Sequence, residues 1–204
     1  MGPVGAVLVE FAFSSRHLDL DDLMEAVLAE AIEAGWIEDA LLAQSGSQRT
    51  AMWRLRETIP EGEKRRNGSV KHDISVPLSS IQRFLDLAGS QVRSYDADLE
   101  LSVYGHVGDG NLHYNVLVPA GVDRIKFTKR IESSLSLQLY DTAAALGARS
   151  ARSTASAAFK RHLLERYGDV GHIAAMRRIK TAFDPADIMN AGAVVRPLGE
   201  KSAR

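Results

Sequence analysis

The stretch Tyr104-Gly-His-Val-Gly-Asp-Gly-Asn-Leu-His-Tyr-Asn-Val-Leu-Val-Pro119 constrains the fold more than any other part of the chain. Asp109-Gly110 is a strong two-residue turn signal, because both residue types tolerate the positive φ of a type I′ turn. A turn there gives a β-hairpin in which Gly108 faces Asn111, Val107 faces Leu112 and His106 faces His113. The side-chain period of two then puts Tyr104, His106, His113 and Asn115 on one face. Val103, Val107, Leu112, Tyr114, Val116 and Val118 fall on the other, which is the core face. The polar face carries two imidazoles, and imidazole is the commonest metal-ligating side chain. Such a pair is half of a metal site. It is equally the pattern of a half-exposed hairpin whose histidines only hydrogen-bond.

With 204 residues the chain can bury a real core. Its net charge of −1 gives no electrostatic case for nucleic acid or an anionic membrane. There is no cysteine, which excludes disulfides, thiolate metal sites and a Cys nucleophile. No apolar run approaches the roughly 20 residues of a membrane span. The N-terminus lacks the basic region of a signal peptide and reads as a chain that begins inside a domain. A cytoplasmic location is the expectation.

Ala6 to Phe13 reads as a strand. Asp19 to Ala34 reads as an amphipathic helix, with Asp21 and Asp22 in the first turn and Gly35 as its stop. Ala40 to Ala43 is a short apolar segment, read as a second strand. Gln48 to Ile59 is a helix with Pro60 near its end, and Glu61 to Gly68 a charged loop. Lys71 to Pro77 alternates like a strand, and Ile81 to Tyr95 is a helix. Val122 to Leu146 reads as one long helix ending at Gly147. Phe159 to Tyr167 and Gly171 to Phe183 are two more, the latter ended by Asp184-Pro185. Asn190 to Val195 is a terminal loop or strand. The pattern predicts an α+β domain over residues 1–196, a mainly antiparallel sheet covered by helices, followed by a tail over 197–204.

Four motifs resemble a known family: Gly105-His-Val-Gly-Asp-Gly-Asn-Leu-His113 with Asn115, Trp53-x-Leu-Arg-Glu57, Lys71-x-Asp-x-Ser-Val-Pro77, and Phe183-Asp-Pro-x-x-Ile-Met-Asn190. In content, order and spacing they are similar to the C-terminal domain of FAD-linked oxidases of the vanillyl-alcohol-oxidase type, and most like the D-2-hydroxyglutarate and D-lactate dehydrogenases. The resemblance implies a ferredoxin-like α+β fold. It also implies that His106 and His113 ligate a divalent metal of the zinc type, which polarises the 2-hydroxyl and carboxylate of the substrate. Asn115 matches a side chain that positions the substrate in the reaction. Arg56 and Lys71 match two cations that hold its carboxylates, Arg as a bidentate fork and Lys as a point charge. Asn190 matches a residue near the flavin. Read without the family, Arg56 and Lys71 are also ordinary solvated cations, and Asn190 a helix C-cap.

The sequence departs from the family in two places. No Gly-rich segment or room for a FAD-binding domain precedes Ala6, so the chain is expected to be the C-terminal part of an enzyme whose flavin is held mainly elsewhere. Between Gly147 and Phe159 the family has Gly-Gly-Ser-Ile/Val-Ser-Ala-Glu-His-Gly-Ile-Gly-Arg, in which Glu is the third metal ligand and His serves proton transfer. This chain has Gly-Ala-Arg-Ser-Ala-Arg-Ser-Thr-Ala-Ser-Ala-Ala, and Ser153 and Thr154 stand at those two positions. Each of the eleven positions from Ala148 to Ala158 can be decoded as the family residue if the reading frame is shifted by one nucleotide.

Two functions follow. One is the substrate and metal domain of a FAD-dependent dehydrogenase of a small D-2-hydroxy acid, working with a separate FAD-binding half. The other is an inactive remnant, or a non-enzymatic metal- or anion-binding subunit that docks on a FAD-binding polypeptide.

Overall fold

The computed structural model describes residues 5–12, 19–148, 150–152, 157–191 and 194–195. The chain divides into two compact units, residues 1–62 and 63–204.

In the first unit, α1 (Leu20–Glu33) starts where the Asp19 side chain accepts the backbone N–H groups of Asp21 and Asp22. This satisfies donors that have no partner inside the helix. Gly35 follows with φ +71°, the left-handed conformation that stops a helix cheaply. α2 (Gly46–Glu57) is capped by Ser45, which accepts from Gln48 N. Trp53 Nε1 and Arg49 both donate to the Glu10 carboxylate, tying residues 5–12 to α2. The strands expected at Ala6–Phe13 and Ala40–Ala43 do not form among the described residues. Apolar content alone does not make a strand, because the ladder needs a partner edge.

The expected loop Glu61 to Gly68 is instead largely helical: α3 is Ile59–Arg65. Pro60 opens this helix rather than closing α2, as a proline in the first turn lacks only an N–H that would have no helical partner.

The second unit holds one antiparallel sheet. β4 (Asn111–Leu117) is its centre. One edge of β4 pairs with β3 (Leu101–His106), and the other with β1 (Ser69–Val70) and β2 (Asp73–Ser75). β5 (Ser150–Arg152) pairs with the far edge of β2. The register of β1 on β4 (Ser69 opposite Leu117) and that of β2 (Asp73 opposite His113) is the same, so residues 69–75 run as one strand interrupted at Lys71-His72.

One sheet face is covered by α4 (Ile81–Tyr95), α5 (Arg124–Glu132) and α6 (Leu135–Ala145). Phe84, Ala88, Val92, Phe127, Ile131, Leu135, Leu139 and Tyr140 pack there on Ile74, Val76, Leu112, Tyr114, Val116 and Val118. The single helix expected from Val122 to Leu146 is two helices. The hydroxyls of Ser133 and Ser134 both bond to the Arg130 carbonyl, competing with the helical ladder and turning the chain. α7 (Ala157–Tyr167) and α8 (Val170–Phe183) complete the unit. The α+β class with an antiparallel sheet under helices holds, and no described helix is long and apolar enough to cross a membrane. The tail expected over 197–204 lies outside the described residues.

Candidate functional site

The hairpin turn is longer than the sequence suggests. Val107–Asp109 form a turn of 3-10 helix, closed by Gly110 N donating to Val107 O at 3.2 Å. The Asp109 carboxylate accepts from Asn111 N at 3.0 Å. Gly110 does take the left-handed conformation (φ +68°), but as the last of four loop residues. The register therefore moves by two: His106 is opposite Asn111, and Tyr104 is opposite His113. His106 and His113 are diagonal rather than directly opposed. A shift of two preserves the face, so Tyr104, His106, His113 and Asn115 still share one side of the sheet. Diagonal Cβ atoms are about 7–8 Å apart, still within reach of a shared ligand for two imidazoles. Val107 leaves the core with the longer turn and is 64% exposed, and Val103, on the outer strand, is 42% exposed.

β2 adds to the same face. Asp73 is opposite His113, and its Oδ1 lies 3.3 Å from His113 Nδ1. That oxygen also accepts from Asn111 Nδ2 at 3.0 Å. The Tyr104 ring sits against the His113 ring, centroids 4.9 Å apart. His113 is thus held between an aromatic ring and a carboxylate. The unchanged register on either side of the strand interruption brings Lys71 level with Asn115 on this face.

Asn115 is 1% exposed. Its Nδ2 donates to Glu63 Oε1 at 2.9 Å, and its Oδ1 accepts from His72 N at 3.3 Å. Glu63, buried at the end of α3, takes its second hydrogen bond from the Ser69 hydroxyl at 2.7 Å. This network explains the interrupted strand. Tyr114 N donates to His72 O, but Tyr114 O is met by His72 Nδ1 at 2.7 Å and not by a backbone N–H. The His72 ring inserts into the core and its Nε2 accepts from the Ser136 hydroxyl at 2.7 Å. Burial pushes the His72 imidazole down to about 4, so it is neutral near pH 7.

Arg56 stands on the last turn of α2, in the first unit. Asn190 has φ +52° and ends a loop built on Asp184. The Asp184 carboxylate caps Ile188 N and Met189 N, both at 2.9 Å, and is paired to Lys180. Asn190 is not the C-cap of α8, a position that Asp184 occupies. Ser153 and Thr154 lie outside the described residues.

Two imidazoles on one sheet face are donors of a kind that divalent transition metals take, but two of them do not complete a site. Among the described residues no three His, Cys, Asp or Glu side chains come together as a metal group. Sequence reasoning missed Asp73, Glu63, His72 and Ser136. The pairing of β2 with β4 brings Asp73 and His72 to Asn111, His113 and Asn115, while Glu63 reaches Asn115 from α3.

The chain is similar to proteins named D-2-hydroxyglutarate dehydrogenase. It is 31% identical to that of Stutzerimonas stutzeri (strain A1501) over 169 residues, covering 83% of this chain and 36% of the relative. For that of Xanthomonas citri pv. viticola the identity is 33% over 193 residues, 91% of this chain and 39% of the relative. The mitochondrial protein of that name from Bos taurus is 31% identical, over 90% of this chain and 32% of its own length. The chain therefore spans between about a third and two fifths of these relatives. The family model described as "FAD linked oxidases, C-terminal domain" matches residues 4–194, and the chain belongs to that family.

Proposed function

We propose that this chain forms the substrate-facing wall of a FAD-dependent dehydrogenase that oxidises a small D-2-hydroxy acid. The observation that carries this reading is the polar sheet face, where Lys71, Asp73, His106 and His113 stand together on the strands of a FAD-linked oxidase domain. A 2-hydroxy acid offers a carboxylate and a hydroxyl. Lys71 and Arg56 neutralise carboxylate charge, and the two imidazoles supply donors for zinc or a similar divalent metal. Asn115 acts as a positioning residue, anchoring Glu63 and the His72 backbone next to Lys71 in the chain. Asn190, on the loop fixed by Asp184, is the residue that would meet a bound flavin in this reading. A divalent metal, when bound, makes the 2-hydroxyl easier to deprotonate. A flavin held by the remaining part of the enzyme would supply the two-electron acceptor for the C2 hydride, with the hydroxyl proton passing to solvent, to give the 2-oxo acid.

Ser153 and Thr154 favour a second reading, an inactive remnant or a metal- or anion-binding subunit docked on a FAD-binding polypeptide. Neither hydroxyl replaces a carboxylate ligand or an imidazole base. One experiment tests both. Zinc is titrated by calorimetry into the chain and into a variant carrying Ser153→Glu and Thr154→His, and turnover of D-2-hydroxyglutarate and D-lactate is measured with a FAD-binding half supplied. Tighter zinc binding and turnover in the variant alone support a damaged dehydrogenase. Turnover by the unaltered chain supports the active enzyme. Equal zinc affinity in the two rejects position 153 as the third ligand.

A further inference from the structure

The turn between α3 and β1 carries the one Asn-Gly pair of the sequence, Asn67-Gly68. An asparagine amide before glycine is prone to attack by the next backbone nitrogen, because glycine has no side chain to keep that nitrogen from the amide carbon. Asn67 is exposed to water, and both residues are left-handed, with φ +83° and +88°. The pair is nonetheless tied down. Asn67 Nδ2 donates to the carbonyls of Pro119 and Val122, both at 3.1 Å. Gly68 N donates to Glu63 O at 2.8 Å, and Gly68 O accepts from Val118 N at 2.9 Å. The Arg124 guanidinium stands 3.4 Å from where a side chain on Gly68 would begin. The same turn closes the loop in which the Ser69 hydroxyl reaches Glu63 Oε2 at 2.7 Å, while Glu63 Oε1 holds Asn115.

We propose that Asn67 is a site of spontaneous deamidation that the folded turn guards, and that the modification, once made, loosens the loop holding Glu63 against Asn115. The Gly68 nitrogen gives its proton to water and attacks Cγ of Asn67. The bond from Cγ to the amide nitrogen breaks, and that nitrogen leaves as ammonia with a proton from water. The resulting five-membered succinimide is opened by water at one of its two carbonyls, to aspartate or to isoaspartate. Water is the only co-reactant, and nothing is oxidised or reduced. The guard is geometric. The proton of the attacking nitrogen is engaged by Glu63 O, and the leaving amide is held by two carbonyls 52 and 55 residues away in the chain. The product cannot restore those contacts, because an ionised carboxylate has no donor and would face two carbonyl oxygens. Isoaspartate also routes the chain through the former side chain, lengthening the loop between Glu63 and Ser69. This holds whatever ligand the polar sheet face takes.

The test incubates the full chain at mildly alkaline pH beside a synthetic peptide of residues 63–72. Mass spectrometry of the tryptic fragment Asn67-Gly-Ser-Val-Lys71 reads the exchange of amide for acid. The peptide is expected to convert readily, and the folded chain about tenfold more slowly or less, because its hydrogen bonds must open first. Conversion in the chain is expected to rise with urea below the unfolding midpoint. Equal rates in folded chain and peptide, or no conversion in the chain at any urea concentration, overturn the proposal. Hydrogen exchange at the Val118 amide, which donates to Gly68 O, then reads the consequence. Asn67→Asp is expected to speed it about tenfold. Asn67→Gly keeps the left-handed backbone and adds no charge, and is expected to speed it less. The incubated wild-type chain, once converted, is expected to follow Asn67→Asp. Val118 exchange unchanged both in Asn67→Asp and in the converted chain overturns the loosening, and equal effects of the Asp and Gly variants overturn the carboxylate as its cause.

Discussion

His72 and Ser136 meet inside the core, with Nε2 and Oγ 2.7 Å apart and neither residue more than 1% exposed. Nδ1 of the same ring donates to the Tyr114 carbonyl at 2.7 Å, so Ser136 is the donor at Nε2. A neutral histidine thereby replaces one rung of the sheet ladder and joins β4 to α6.

Stability should fall with acid because of this ring. Burial lowers the His72 pKa from 6.5 to about 4. Unfolded chains therefore bind an extra proton between those values, and the stabilisation is complete above pH 6.5 and lost as pH falls toward 4. The loss corresponds to about 3 kcal/mol. Urea unfolding of wild type and His72→Gln, measured at several pH values across that window, should show a steeper decline for wild type. Parallel curves would remove His72 as the cause.

Ser136→Ala should leave Nε2 buried and without its donor, at a cost of about 1–3 kcal/mol. Thermal denaturation at pH 7 measures it. A melting temperature unchanged within error would mean that the hydroxyl contributes nothing.

The three glycines of the hairpin should behave differently. A Cβ on Gly110 would lie 2.0 Å from the Val76 carbonyl oxygen, at a φ of +68°, and one on Gly105 would lie 2.1 Å from the Asn111 carbonyl oxygen. Around Gly108 nothing lies within 4 Å. Gly110→Ala and Gly105→Ala should each cost more than about 2 kcal/mol, and Gly108→Ala within about 0.5 kcal/mol of nothing. Chemical denaturation of the three variants decides it, and equal losses would refute the steric argument.

Asp184→Ala should release the loop that carries Asn190. The carboxylate caps Ile188 and Met189, and the Lys180 ammonium beside it holds its pKa below the ordinary range. Hydrogen exchange at the Ile188 and Met189 amides should accelerate in the variant while α4 stays protected. Unchanged exchange there would show that other contacts hold the loop.

Asn115→Ala should destabilise the second unit by about 2–3 kcal/mol, since it leaves Glu63 Oε1 and His72 N without their present partners. A variant as stable as wild type would leave Asn115 free for a role confined to substrate.

The sequence by itself determined what local chemistry controls. Asp19 and Gly35 bound α1, Ile81–Tyr95 is a helix from end to end, and Gly110 takes a positive φ in the hairpin. The side-chain period of two placed Tyr104, His106, His113 and Asn115 on one face, and a register shift of two could not undo that. Tertiary structure decided what depends on partners distant in the chain. The turn is four residues long because Asp109 caps Asn111 while Gly110 O accepts from Val76 N. The expected helix from Val122 to Leu146 breaks where Ser133 and Ser134 bond back to Arg130, with Ile131 and Leu135 buried on either side of the break. His72 reads from its strand as a core-facing residue, but its Ser136 partner is 64 residues away. Asp73 meets His113 only because β2 lies beside β4. Hydrogen bonds between residues so far apart leave no periodic trace in the sequence, and they exist only once the sheet has assembled.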